Sequence, residues 1–172
     1  MSGAEFSHWV EVRHLPVGEL ALAASPSECA ALARRFGLVS VGRLEAKVTL
    51  AHAGEAVQAS CKLTAGIVQS CAISGEDLPV AIAEPVLLRF VPEAPAAAGS
   101  EEEIELSAND CDEIAYSGTR FDLGEALAQS LALAIDPFAI GPDAAAARKR
   151  AGIVSEGEAG PFAALTKLKK GE

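Results

Sequence analysis

The 172-residue chain is half hydrophobic and carries a formal net charge of −10 at pH 7. That length suits one domain plus a tail. The charge argues against a general electrostatic grip on nucleic acid or an anionic membrane, while leaving room for a local basic patch or a basic protein partner.

With one Trp, one Tyr and six Phe, the core has to be mostly aliphatic. Met1-Ser2-Gly3-Ala4-Glu5 has neither the basic nor the apolar region of a signal peptide. No run approaches the roughly 18 apolar residues of a membrane-spanning helix. The expectation is a cytoplasmic protein with no membrane partner. Its cysteines, Cys29, Cys61, Cys71 and Cys111, fall in no metal-ligand spacing and read as reduced, mostly structural thiols.

Along the chain, His8-Trp9-Val10-Glu11-Val12 reads as an opening strand. Ser25-Pro26-Ser27-Glu28 is a full helix-start signal, with Ser25 as cap, Pro26 at the first helical position and Glu28 closing a capping box. Cys29, Leu32, Ala33 and Phe36 share one helical face, and Gly37 offers a left-handed stop. The period then changes to two. Leu44, Ala46, Val48 and Leu50 alternate with polar residues, and after the turn at Ala53-Gly54 so do Val57, Ala59, Cys61, Leu63 and Ala65. Gly66 marks a bulge or bend.

Ala56 to Pro92 reads as two long apolar strands joined by Ser74-Gly75-Glu76-Asp77-Leu78-Pro79, the pattern resuming after Gly66 at Ile67 and running on beyond the connector to Phe90, with Cys61 and Cys71 pointing inward. From Glu93 to Glu113 there are eight acidic residues and no basic one. Such a run reads first as a solvated loop. Thr119 to Glu125 starts a second helix, with Asp122 as cap and Glu125 as capping-box partner, and Asp136-Pro137 ends it. After Gly141 the apolar pattern is lost. From Arg148 to Glu172 there are six basic and three acidic residues.

These readings predict an α+β domain over residues 1–140 with a mostly antiparallel sheet of about five strands and two covering helices. The long strands and Gly66 allow the sheet to curl toward a barrel. Residues 141–172 read as a flexible basic tail with a short helix motif near its end. No P-loop, dinucleotide-binding glycine run or nucleophile elbow occurs. His8, His14 and His52 fit surface or satisfied positions better than ligand positions. A non-enzymatic protein without cofactor or metal is the expected class. A thiol enzyme using Cys71, or a general protein-interaction module, stands as the alternative.

An ordered set of segments resembles the YceD family, in its alphaproteobacterial form. The set comprises Ala30 to Leu38, Leu44-Glu45-Ala46, Val68-Gln69-Ser70-Cys71 with Leu78-Pro79, Phe121-Asp122-Leu123-Gly124-Glu125, Leu131 to Pro137, and Pro161-Phe162-Ala163-Ala164-Leu165. The resemblance implies a ribosome-biogenesis factor needed for accumulation of large-subunit (23S) ribosomal RNA, with that RNA or a basic large-subunit ribosomal protein as partner. It points to Gln69, Cys71, Pro79, Asp122, Leu123, Glu125, Pro137 and Phe162 as motif positions. The tail cations Arg148, Lys149, Arg150, Lys167, Lys169 and Lys170 would be the candidates for RNA phosphates.

Many members carry Cys-x-x-Cys where this chain has Val68-x-x-Cys71, and no cysteine follows Gly141. A tetrahedral zinc site wants about four nitrogen or sulfur ligands. The expectation here is therefore a turn held by packing and hydrogen bonds instead of metal.

Overall fold

A computed structural model of the protein describes residues 5–93 and 112–153. Phe162, Lys167, Lys169, Lys170, Cys111 and nearly all of the acidic run lie outside those residues. The elements, in order, are β1 (Trp9–Glu11), β2 (Glu19–Ala23), α1 (Pro26–Phe36), β3 (Ser40–Ala53), β4 (Ala56–Ser70), β5 (Asp77–Pro92), β6 (Asp112–Tyr116), β7 (Arg120–Asp122), α2 (Leu123–Ala134) and α3 (Ala144–Arg150).

The fold is α+β. Its main sheet is mostly antiparallel, with strand order β2-β3-β4-β5-β6, and a two-stranded ribbon pairs β1 with β7. The sheet stays open, with β2 and β6 as its edges, so the curl toward a barrel does not reach closure. A parallel pairing of β5 with β6 accounts for the one departure among the registered strand pairs.

The chain divides into two compact units. The first takes Met1–Gln69 and Pro79–Ile135; the second takes Ser70–Leu78 and Asp136–Glu172.

In the first unit α1 forms as its sequence dictates. The Ser25 hydroxyl accepts from Glu28 N, the Glu28 carboxylate accepts from Ser25 N, and Gly37 caps the end at φ 65°. β3 and β4 form a long hairpin, paired from Ala53↔Ala56 to Ser40↔Val68, with a register shift between Val41 and Arg43 facing Gly66. The irregularity expected at Gly66 therefore falls on the partner strand, where Gly42 of β3 is the extra residue.

Alternation buries Leu44, Ala46 and Val48 of β3 and Ala59, Cys61, Leu63, Ala65 and Ile67 of β4. Phe90, Leu32 of α1 and Leu123, Leu127 and Leu131 of α2 complete the core. At roughly 1.5–3 kcal/mol per fully buried large aliphatic or Phe side chain, this apolar burial is the main stabilising term.

Two sequence expectations change. Asp122 caps α2 and the helix starts at Leu123, as the cap implies, but the approach to it, Arg120–Asp122, is strand β7. Phe121 belongs there because it pairs with Val10 of β1 and stacks on Phe90 at 3.9 Å between ring centroids. In the second unit Ala144–Arg150, read from sequence as the start of a flexible tail, forms helix α3. Four consecutive alanines have strong helix propensity, and Arg148, Lys149 and Arg150 occupy the last turn, where cations favour the helix dipole.

Candidate functional site

Two motif-bearing regions carry the chemistry, one in each unit. In the first unit, Phe121 to Glu125 acts as a clasp. Asp122 caps α2 by accepting from Glu125 N at 3.1 Å, and the same carboxylate accepts from His8 N at 2.8 Å and from the Ser7 hydroxyl. Leu123 is fully buried, and its N–H donates to His8 O.

A Cβ at Gly124 would lie 2.6 Å from His8 N and 2.8 Å from Ser7 C, so only glycine lets the incoming chain pass. Glu125 does not reach back to the cap as the capping-box reading had it. Its carboxylate is bidentate to Arg35 of α1, at 2.8 and 2.7 Å, and Gln129 also donates to it. The Arg35 guanidinium holds the Glu125 carboxyl below its usual range, and Glu125 with Glu5 raises Arg35.

In the second unit the centre is Cys71. Its N–H donates to Glu76 O at 2.7 Å and its carbonyl accepts from Gly75 N, a tight turn in which Gly75 takes φ 74°. Its Sγ accepts three backbone N–H groups: Ile73 at 3.5 Å, Ser74 at 3.3 Å and Gly141 at 3.3 Å. Glu76 fastens the same two stretches, since its Oε1 accepts from Asp143 N at 3.2 Å and from the Ser74 hydroxyl. At Gly141 a Cβ would run into the Glu76 carboxylate and Leu78.

The Ser74 hydroxyl first, then the N–H groups of Gly141, Ser74 and Ile73, lower the Cys71 thiol from 9.0 to about 6, with burial opposing them. Cys61, buried in β4 without such donors, is pushed the other way to about 11. Cys29 is also raised by burial.

These donors favour the thiolate form of Cys71, yet the residue is only 3% exposed. A nucleophile needs an approach path and usually a neighbouring base, and the sequence of the second unit contains no histidine. What the arrangement does directly is order two chain segments around an anionic sulfur. Among the described residues, no group of three His, Cys, Asp or Glu could hold a metal ion. No helix among them is long and apolar enough to cross a membrane.

Of the other motif positions, Gln69 is buried at the end of β4, while Pro79 and Pro137 are exposed. Val68 is half-buried, and its carbonyl accepts from Val39 N. Arg148, Lys149 and Arg150 are all exposed on α3. The motif positions thus split between the two units.

No family model, curated protein or solved structure matches the chain.

The sequence reading passed over one further feature. Trp9, Phe90, Ile114, Tyr116, Arg120, Phe121 and Gln129 line a cavity of about 270 Å³ in the first unit. Trp9 and Tyr116 are the chain's only Trp and Tyr. That scarcity was the available signal, but nothing local in sequence says the two meet.

Proposed function

We propose that the protein is a non-enzymatic factor of large-subunit ribosome assembly in the cytoplasm. It would support accumulation of 23S ribosomal RNA by binding its precursor or a basic ribosomal protein. The reading rests on the ordered YceD-like segments. One structural observation favours binding over catalysis: Asp122, Leu123, Gly124 and Glu125 are fully engaged in fastening β1, α1 and α2, which leaves no acid–base pair among them. The exposed Arg148, Lys149 and Arg150, with Lys167, Lys169 and Lys170 further on, supply the cations for an RNA contact.

Depleting the protein and measuring the ratio of the two ribosomal subunits tests this. A deficit of large subunits and of 23S RNA is expected. Unchanged profiles would overturn the proposal.

The lowered Cys71 pKa supports a second reading, a thiol enzyme. Its signature is alkylation of Cys71 much faster than of Cys29 on native protein. Uniformly slow labelling removes it. A general interaction module instead predicts that tagged protein recovers neither ribosomal RNA nor ribosomal proteins.

A further inference from the structure

The cavity of the first unit is built from scarce residues. Four of the chain's eight aromatic side chains, Trp9, Phe90, Tyr116 and Phe121, meet there. Phe90 and Phe121 are buried and stacked, and Tyr116 lies tilted against Phe121 at 6.0 Å. Trp9 is different. A large indole left 55% exposed on a short ribbon buries little area for its size. Solvent is a poor reason to place the only Trp there.

The volume of about 270 Å³ falls below the roughly 300–1,000 Å³ of pockets for drug-sized ligands. It suits one side chain of a partner better than a cofactor.

The walls indicate which side chain. Arg120 already sits with its guanidinium carbon 4.7 Å over the Trp9 ring, inside cation–π range, so this surface accepts a guanidinium. The charges around it are unbalanced. Carboxylates Asp122 and Glu125 line the cavity, Glu5 joins Glu125 on Arg35, and Glu11 stands opposite Arg120 in the β1–β7 register. Two carboxylates and one guanidinium thus line the cavity itself, and Glu5, Glu11 and Arg35 stand next to these three. The chain's net charge of −10 attracts cations from further away.

We infer that this aromatic cavity docks an arginine side chain from a basic protein segment, stacked on Trp9 and Tyr116. The inference deepens the proposed function by choosing its protein partner over RNA at this site. An RNA phosphate would meet a net negative rim here.

The only Trp is its own reporter. Purified full-length protein is titrated with a short Gly/Ser peptide carrying three arginines, with the same peptide bearing Gln for Arg, and with a single-stranded RNA of similar length, following Trp9 emission. The arginine peptide is expected to shift Trp9 emission, with affinity falling as salt rises, while the Gln peptide and the RNA do not. Tyr116→Ala should weaken binding at least about fivefold, in line with the loss of one aromatic contact. Gln129→Arg, an exposed change on α2 that adds a positive charge at the wall, should do the same with unchanged circular dichroism.

A Trp9 response to RNA but not to peptide, no response to either, or peptide binding indifferent to Gln129→Arg each overturns the inference. Peptide binding with normal 23S levels on depletion would sink the ribosomal reading alone. A 23S defect with no peptide binding would sink this one alone.

Discussion

The clasp at Asp122–Glu125 and the sulfur centre at Cys71 both fasten distant stretches of chain. They do so by different physics. In the clasp the decisive quantity is space: Gly124 has no room for a Cβ against the Ser7–His8 backbone. In the sulfur centre it is charge, because three N–H groups converge on one thiolate. Steric fastening is indifferent to pH. A thiolate fastening has to switch off when the sulfur takes up its proton.

The most damaging test of the clasp is Gly124→Ala. The contact atoms are backbone and cannot yield cheaply, so a loss of about 3 kcal/mol is expected, at the upper end for overpacking. Chemical denaturation should give the same loss from pH 5 to 9. Asp122→Ala comes next. It removes a helix cap together with the acceptor for His8 N, and about 2 kcal/mol is expected from thermal unfolding.

For the sulfur centre, folding lowers the Cys71 pKa from 9.0 to about 6, so between those values the folded state binds fewer protons than the unfolded one. Its stabilising contribution is therefore complete above pH 9, fades as pH falls, and is absent below about pH 6. Cys71→Ala should flatten that part of the pH–stability curve, while Cys61→Ala should leave its slope in place. An unchanged slope in Cys71→Ala would show that the sulfur is not the titrating fastener. The smallest effect is expected from the Arg35–Glu125 pair, whose side chains are about a quarter to a third exposed. A double-mutant cycle should return a coupling of under about 1 kcal/mol.

The parts of this fold that could be read from sequence are those whose signals are local. Ser25, Pro26, Glu28 and Gly37 each do in α1 what their types and spacing dictate. The period-two runs of β3 and β4 bury the residues their alternation names.

What escaped depends on partners far along the chain. β6 and β7 are strands of five and three residues, too short to display a period, and β2 alternates over only five residues without burying any of them fully. β7 exists because it pairs with β1, more than a hundred residues earlier. Its Phe121-Asp122 therefore looked like the approach to a helix. Glu125 fitted a capping box until Arg35, 90 residues away, offered its carboxylate a stronger pair of donors. Gly141 donates to Cys71 across 70 residues with no periodic signal at either end. Nothing local in the sequence says that the Cys71 sulfur accepts from the N–H groups of its own turn.

The β3–β4 hairpin has a consequence for how the chain finds its fold. Its strands pair from Ala53↔Ala56 out to Ser40↔Val68 across a turn of only Gly54 and Glu55, with Gly54 at φ 67°. Closing so short a loop costs little chain entropy and lets the ladder zip by local steps, whereas the β1–β7 ribbon must wait for ends over a hundred residues apart to meet. The hairpin is thus the natural nucleus of the transition state. Leu63→Ala should slow refolding, while Val10→Ala should chiefly hasten unfolding. Stopped-flow kinetics showing the reverse assignment would place the nucleus elsewhere.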